Sequence, residues 1–447
     1  MNFVFMLHTF FSMKIYLNSI GCRLNQSEIE TIGRQFHAQG HTLTSEMGQA
    51  DLAVINTCAV TVEAASDSRQ MIRKAAREGA KEVIATGCWV TINPTGAASL
   101  PGVGRVVVNG DKEHLVADYL NLPLETFDLE PVEREPLAGI RLRTRAFIKV
   151  QDGCDNRCTF CITTLVRGEG RSRSLEAVIE EVNAATREGV QEVVLTGVHL
   201  GSWGQDFSSP THLKTLVQTL LRRTTIPRIR LSSLEPWDLD EDFFSLWANE
   251  PRLCRHLHLP LQAGCDATLR RMARKTTQGS FRKLVSAART VCPDIAITTD
   301  LIAGFPGETE AEFAETLAFV EEMAFAGGHV FTYSPRPGTA AARMPGQISP
   351  PIRRARNAHL RAVIEKSSTR YQARFLQTIL PILWEGSAEL GPDGWLMRGL
   401  SDNYVRVQAV APQNLWNQIT PVRLLAVEKD VVQGVLMGDT PDAQQGG

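Results

Sequence analysis

No apolar run in the sequence approaches the roughly 20 residues that span a bilayer, so no transmembrane helix and no membrane partner are expected. Net charge is nearly absent. The 47 Lys and Arg stand against 49 Asp and Glu, a formal −2, which excludes a wholesale basic nucleic-acid binder but leaves room for local basic faces. An even-numbered disulfide framework is missing too. The nine cysteines mostly follow strand-like segments of a long chain, which suits reduced thiols in a cytoplasm, some of them metal ligands, better than a secreted scaffold. Residues 1–12 lack the basic start and the small-residue cleavage site of a secretory signal. They read as a disordered extension, or as residues upstream of a true start at Met13.

What is present is globular: 43% hydrophobic and 21% charged residues, in a chain of 447 that exceeds one ordinary core and implies two or three domains. Residues 13–120 alternate strand and helix, with strands at 14–17, 52–56 and 82–85 and helices at 27–39 and 66–78, the second ending at Gly79. That alternation predicts an α/β domain built on an open parallel sheet. Residues 121–144 form a linker, carrying Glu125, Asp128, Glu130, Glu133 and Glu135, three prolines and no apolar period. Six strand candidates follow in 145–371, at 146–150, 192–195, 228–231, 256–259, 295–299 and 329–332, with helices between them such as 175–188 and 310–323. They predict a partial parallel (β/α)6 barrel, with function at the C-terminal ends of its strands. Short strands and turns at Gly386, Gly391-Pro392-Asp393-Gly394 and Asp402-Asn403 make 372–438 a small antiparallel β-barrel, OB-like, of a kind that often binds oligonucleotides. Residues 439–447 read as a disordered tail.

Two sets of cysteines carry chemistry. Cys154, Cys158 and Cys161 form C-x3-C-x2-C after the first strand of the second domain, within Gly153-Cys154-Asp155-Asn156-Arg157-Cys158-Thr159-Phe160-Cys161. Three thiolates are one short of the usual complement of a cubane iron–sulfur cluster, which leaves one iron open to a substrate or cofactor. Core cysteines on one helix, or a zinc site completed by a distant histidine, are the alternatives. Gly153 and the polar residues between the thiols suit a loop and favour the cluster. Cys22, Cys58 and Cys88 are dispersed, yet each sits just past a strand of the first domain. The carboxyl ends of parallel strands lie along one edge, where ligands bind, so these three can converge on a second cluster. Cys254, Cys265 and Cys292 have no partner spacing and read as packing residues.

With these residues in view, the sequence resembles the radical-SAM methylthiotransferases over about 13–437. The resemblance rests on C-x3-C-x2-C together with Gly21-Cys22-Arg23-Leu24-Asn25-Gln26, Asn56-Thr57-Cys58 and Thr86-Gly87-Cys88. Leu195-Thr196-Gly197-Val198, Pro260-Leu261-Gln262 and Gly304-Phe305-Pro306-Gly307-Glu308 support it. It implies two [4Fe-4S] clusters. Cys154, Cys158 and Cys161 would hold the one that cleaves S-adenosyl-L-methionine (SAM), and Cys22, Cys58 and Cys88 an auxiliary one associated with the inserted sulfur. One SAM would donate methyl and another would yield the 5′-deoxyadenosyl radical. The second domain would be a radical-SAM barrel and the last a TRAM domain that helps hold RNA. An electron donor such as flavodoxin or ferredoxin and a sulfur donor are implied as partners.

Of three branches, acting on isopentenyladenosine tRNA, on threonylcarbamoyladenosine tRNA or on a ribosomal protein aspartate, the sequence is most similar to the threonylcarbamoyl branch. Cys22-Arg23-Leu24-Asn25-Gln26-Ser27-Glu28, Arg230-Leu231-Ser232-Ser233-Leu234-Glu235-Pro236 and Tyr333-Ser334-Pro335-Arg336-Pro337-Gly338-Thr339 carry that likeness. Ile162-Thr163-Thr164-Leu165 lacks the proline that the family usually shows after the third cysteine. Trp203 stands where Tyr is usual, and Cys265 where Ser is. For SAM beyond its iron contact, the strand ends offer Thr196, Gly197, Glu235 and Gln262, with turn-forming roles as the alternative.

Local basic runs would meet tRNA phosphates: Arg141, Arg143, Arg145 and Lys149 before the cysteine loop, Arg167, Arg171 and Arg173 after it, and Arg353, Arg354, Arg356, Arg361, Lys366, Arg370 and Arg374 before the last domain. Trp384, Trp395, Tyr404 and Trp416 are candidates for base stacking, with core packing the commoner role. A non-catalytic metal-containing RNA-binding protein is the alternative of another class, and it predicts metal without SAM cleavage.

Overall fold

The computed structural model describes residues 12–127, 144–248 and 250–437, and the chain divides into two compact units, Met1–Leu142 and Arg143–Gly447. The readings of residues 1–11, of most of the linker and of the tail lie outside the described residues.

The first unit is a five-stranded, wholly parallel sheet of β1 (Lys14–Ser19), β2 (Thr42–Thr44), β3 (Leu52–Thr57), β4 (Glu82–Gly87) and β5 (Val103–Val107), in the order β2-β1-β3-β4-β5. Central β3 is buried along its whole length, which is why it reads as the unbroken run Leu52-Ala53-Val54-Ile55. Its two predicted helices are present but longer, Arg23–Ala38 and Val62–Glu78. Thr61 caps the second by accepting from the Ala64 amide, and Gly79 ends it at φ 103°. The sequence reading missed β2 and β5. Both are short edge strands with few buried side chains, so neither shows a hydrophobic run.

The second unit contains β6 (Arg145–Lys149), a two-residue ladder of β7 (Gln151–Asp152) and β8 (Arg171–Ser172), then β9 (Glu192–Thr196), β10 (Arg228–Leu231), β11 (His256–His258), β12 (Ala296–Ala303) and β13 (Gly327–Thr332). β6, β9 and β10 form one parallel trio, and β11, β12 and β13 another. Parallel bridges from Ile229 to Leu253 and from Ser233 to His258 stitch the trios together. These are the six strands expected of a partial barrel. Alternate residues such as Ile148, Val193, Leu195, Ile229, Leu231, Leu257 and Ile297 pack into one apolar layer with helices Leu175–Arg187 and Leu213–Arg223.

The last five strands, β14 (Ile379–Gly391), β15 (Gly394–Ser401), β16 (Arg406–Ala411), β17 (Ile419–Glu428) and β18 (Val431–Leu436), close a barrel in the order β14-β15-β16-β18-β17. It departs from the expected antiparallel pattern at one seam, where β16 and β18 pair in parallel. Trp384 is fully buried and donates to Thr420 Oγ1, while Tyr404 stacks on His256 with ring centroids 4.0 Å apart. Both are therefore committed to packing.

This barrel caps the N-terminal ends of the parallel strands. Arg228 donates to the Pro381 and Leu400 carbonyls, and Arg230 to those of Ser401 and Asp402. Arg230 also forms a two-pronged pair with Glu192 at 2.7 and 3.0 Å, both side chains fully buried. Arg145 pairs with Glu385, and Arg255 with Asp402. The opposite, C-terminal strand ends are the ones that bear the cysteine loop.

The basic runs are mostly spent in the fold. Lys149 and Arg167 pair with Asp152, and Arg173 pairs with Glu181. Arg356 corrects the reading of 353–374 as a phosphate-binding face, because it is buried between Glu308 and Glu310 at 2.7 and 2.6 Å. Arg353 donates to the Tyr333 carbonyl and lies against Gly304. Arg354, Arg361 and Arg370 are exposed on helix Pro350–Ala373, and exposed Lys366 pairs with Glu321.

Breaking a buried ion pair by removing one partner typically costs about 3–5 kcal/mol. Arg230→Ala should therefore lower stability by about that amount in urea unfolding followed by circular dichroism. A chain truncated before β14 deprives Arg228, Arg230 and Arg255 of their acceptors in the barrel and should not yield a cooperatively folded second unit. A truncated protein that melts like the full chain would show the cap to be dispensable.

Candidate functional site

In the first unit, Cys22 precedes helix Arg23–Ala38 just after β1, Cys58 follows β3, and Cys88 opens the short helix Cys88–Ile92 after β4. Their strands are adjacent, and the order β2-β1-β3-β4-β5 changes direction between β1 and β3, the position where open α/β sheets bind ligands. Cys22 is exposed, Cys58 and Cys88 are buried, and Cys58 lies within electrostatic reach of both others.

Glycine makes the approach possible. Gly21 has φ 101°, and a Cβ there would fall 2.5 Å from Cys58 Sγ; Gly87 has φ 99°, and a Cβ there would fall 2.4 Å from the Thr57 carbonyl oxygen. A buried polar lattice fixes the turns from behind. Asn25 donates to the Ile20 and Thr57 carbonyls, Asn56 donates to the Asn25 carbonyl, and the Cys58 amide donates to Ser68 Oγ. Lys112 reaches Glu28 at 2.7 Å and Asn56 at 3.2 Å. Asn109 donates to Cys88 Sγ at 3.5 Å.

In the second unit, Cys154, Cys158 and Cys161 lie on the loop between β7 and helix Thr163–Arg167. The loop is cinched from several sides. The Cys154 amide donates to the Gly168 carbonyl, Thr164 Oγ1 donates to the Cys154 and Asn156 carbonyls, and the Thr159 amide donates to Met272. Gly153 has φ 72°, and a Cβ there would overlap the Glu169 carbonyl oxygen at 1.8 Å. Without the family's proline, Thr163 shapes the turn after Cys161. Its amide donates to Cys161 Sγ, and its hydroxyl accepts from that thiol at 3.1 Å. Trp203 is a core residue donating to the Arg173 carbonyl, and Cys254, Cys265 and Cys292 are buried as expected of packing residues.

Burial pushes the Cys58 thiol up to about 11, and it raises those of Cys158 and Cys161, against the pull of Arg274 on Cys158. Such thiols stay protonated unless a metal takes the proton's place, so the donors gain by coordination. Among the described residues, no group of three His, Cys, Asp or Glu side chains is drawn around a point where one ion would sit. Two triads of neighbouring thiols fit a cluster in which each thiolate takes its own iron.

Around the second triad are residues that the sequence reading left unassigned. Gln151 bridges the Asp152 and Gly153 carbonyls and accepts from the His199 amide. His199 sits between Asp238, at 2.6 Å, and Cys154; burial opposes its charge, yet these partners raise it to about 10. Arg274 links Glu235 to Cys158. It lies in the run Arg270-Arg271-Met272-Ala273-Arg274-Lys275, where nothing in the sequence sets it apart from its neighbours.

Of the four residues proposed to contact SAM, Thr196 is buried at the end of β9, and Gly197 lies against Gln151, with only 3.0 Å between a built Cβ and Gln151 Oε1. Glu235 is held by Arg274. Gln262 has φ 72°, a conformation costly for a residue with a side chain and one that clusters at functional sites. Its amide donates to Asp300 and its carbonyl accepts from Ile302. Ser232 Oγ, Trp237 Nε1 and Asp300 Oδ1 are buried without a partner among the described residues. Unpaired polar atoms on the C-terminal side of a parallel barrel fit a polar ligand with amino, carboxylate and ribose groups, as SAM has.

Comparison with known proteins agrees with this geometry. The Radical SAM superfamily model matches residues 148–320, and the model described as uncharacterized protein family UPF0004 matches 14–108. The threonylcarbamoyladenosine tRNA methylthiotransferase MtaB of Bacillus subtilis is 34% identical over 429 residues, covering 92% of this chain and 93% of its own. That of Thermotoga maritima is 34% identical over 425 residues, covering 94% and 96%. The tRNA-2-methylthio-N(6)-dimethylallyladenosine synthase of Acetivibrio thermocellus is 30% identical over 445 residues, covering 95% and 91%. A radical SAM methyltransferase from Kitasatospora setae, TsrM, solved with cobalamin and a [4Fe-4S] cluster, shares the fold at TM-score 0.56 and 15% identity, covering 74% of this chain and 77% of that one. Fold and thiol sites define an iron–sulfur enzyme of the radical-SAM class. Within it, the chain belongs to the methylthiotransferase family.

Gly153→Ala should prevent the second triad from closing and leave about half of the roughly eight irons of two four-iron clusters. Gly21→Ala should do the same to the first triad. Anaerobic iron analysis with electron paramagnetic resonance checks both, and full iron loading in either variant would contradict the steric reading.

Proposed function

We propose that this protein converts N6-threonylcarbamoyladenosine next to the tRNA anticodon to its 2-methylthio derivative, in the cytoplasm. In this reading Cys154, Cys158 and Cys161 hold the [4Fe-4S] cluster that binds SAM, and Cys22, Cys58 and Cys88 hold the auxiliary [4Fe-4S] cluster. The observation that carries it is the pair of thiol triads, each gathered at the carboxyl ends of parallel strands, in a chain 34% identical over 92% of its length to an enzyme named for that reaction. Among the described residues, no helix is long and apolar enough to cross a membrane.

A hydrogen on adenine C2 is not acidic enough for a side-chain base poised near neutral pH. Cluster and SAM together supply one-electron chemistry for that bond, with electrons from a donor such as flavodoxin or ferredoxin and sulfur from a separate donor. The protein's part is to bind and orient. Gly153, Gln151 and Thr164 hold the cysteine loop in register. Ser232, Trp237 and Asp300 offer unspent hydrogen bonds to the SAM ribose and methionyl groups, beside Gly197, Glu235 and Gln262. Exposed Arg354, Arg361 and Arg370 meet RNA phosphates, and the terminal barrel adds RNA contact.

The two triads should fail differently. Replacing Cys154, Cys158 and Cys161 with Ala should remove about half the iron and abolish 5′-deoxyadenosine formation. Replacing Cys22, Cys58 and Cys88 should spare some reductive SAM cleavage and abolish methylthio product. Identical losses in both variants, with folding intact, would refute separate roles. In a strain lacking the protein, mass spectrometry of tRNA nucleosides should show 2-methylthio-threonylcarbamoyladenosine replaced by its unmethylthiolated parent. Loss of the dimethylallyl derivative instead would move the enzyme to the neighbouring branch. An unchanged nucleoside profile with an altered ribosomal protein mass would place its substrate outside tRNA.

Neutralising Arg354, Arg361 and Arg370 should weaken tRNA binding and flatten its salt dependence, because fewer counterions are released. An unchanged slope in a binding titration across salt concentrations would remove this helix from the RNA interface.

A further inference from the structure

Arg274 is the most heavily committed side chain near the second thiol triad. Its side chain is 1% exposed. Nη1 donates to Cys158 Sγ at 3.8 Å and to Glu235 Oε1 at 3.1 Å, and Nη2 donates to Glu235 Oε2 and to the Pro260 carbonyl, both at 2.6 Å. The guanidinium lies 4.4 Å from the centre of the Trp237 ring, which covers one of its faces. A buried cation is expensive unless paired, and here a carboxylate and a sulfur share one of its nitrogens while the carboxylate also takes the other.

Arg274 Nη1 is shared between Cys158 Sγ and Glu235 Oε1, and Glu235, which is partly exposed, lies within electrostatic reach of both Cys158 and Cys161. Cys154 has a counterpart in His199, itself braced by Asp238. Hydrogen bonds and charges at cluster sulfurs set reduction potentials, because the reduced cluster carries one more negative charge.

We propose that Arg274 and Glu235 act as opposed positioning residues that set the potential at which the cluster on Cys154, Cys158 and Cys161 accepts an electron from its protein donor. The guanidinium stabilises the reduced state and raises the potential. The carboxylate orients the guanidinium and limits that rise. Neither residue has to touch the reacting base. The inference rests on the assignment of these three cysteines as cluster ligands, and its failure is distinguishable from failure of that assignment. Full iron in a Cys154, Cys158 and Cys161 to Ala variant would defeat the assignment. An unmoved potential in a fully loaded protein would defeat only the tuning.

The test is an anaerobic redox titration monitored by electron paramagnetic resonance, on the full chain carrying Ala at Cys22, Cys58 and Cys88 so that one cluster titrates. Glu235→Gln leaves the cation uncompensated and should raise the potential. Arg274→Gln leaves the carboxylate uncompensated and should lower it. Each change should be at least tenfold in the one-electron equilibrium, which is about 59 mV. Arg274→Lys keeps the charge without the fork and should recover at least half of the lowering.

Looser packing or wetting of the site would move both glutamine variants the same way, so opposite signs are the signature of tuning. Shifts of one sign, or no shift with four irons retained, would overturn the proposal, as would loss of the cluster from Glu235→Gln. If Arg274→Gln does not load iron, the near-isosteric Glu235→Gln decides alone, and an unchanged or lower potential counts against it.

Discussion

A parallel strand must deliver its chain to the next helix at its carboxyl end, and neighbouring parallel strands deliver theirs at one edge. Both units depend on that constraint. In the first, three adjacent strands each end in a cysteine, so thiols 30 or more positions apart in sequence become neighbours. In the second, one loop at the end of the first barrel strand carries all three thiols, and the ends of β9, β10 and β12 supply the polar surroundings. Glycines at 21, 87 and 153 mark where the chain must turn more tightly than a side chain allows.

The polar interior of the second unit divides by depth. At the strand N-termini, the terminal barrel meets Arg228 and Arg230 with backbone carbonyls and Arg145 and Arg255 with the carboxylates of Glu385 and Asp402, while Glu192 pairs with Arg230. At the other end, Ser232 and Asp300 retain unpaired atoms. A charged layer buried among strands is stable only where its charges are paired and hydrogen-bonded, and the barrel supplies most of those partners.

Much of this was legible in the sequence. The barrel strands and the central strands of the first sheet show as short apolar or alternating runs, one cysteine set shows by its spacing, and the other by its place after strands. Edge strands β2 and β5 do not, being half exposed. Arg274, His199 and Lys112 were equally silent: a buried cation looks like a surface one until its partner, 39 residues away for Glu235 and 84 for Glu28, folds against it. The same blindness made Arg356 look like an RNA contact, when Glu308 and Glu310 had already claimed it. The parallel seam between β16 and β18 depends on the path between strands, which local patterning does not encode.

The capping barrel also fixes a length. It grips the strands at their starts, while the cysteine loop lies past their ends, so about five or six residues of extended chain, roughly 16–20 Å, separate the two. Strand length alone therefore sets how far the capped end stands from the cysteine loop, and a strand lengthened or shortened by two residues would change that separation by roughly 7 Å.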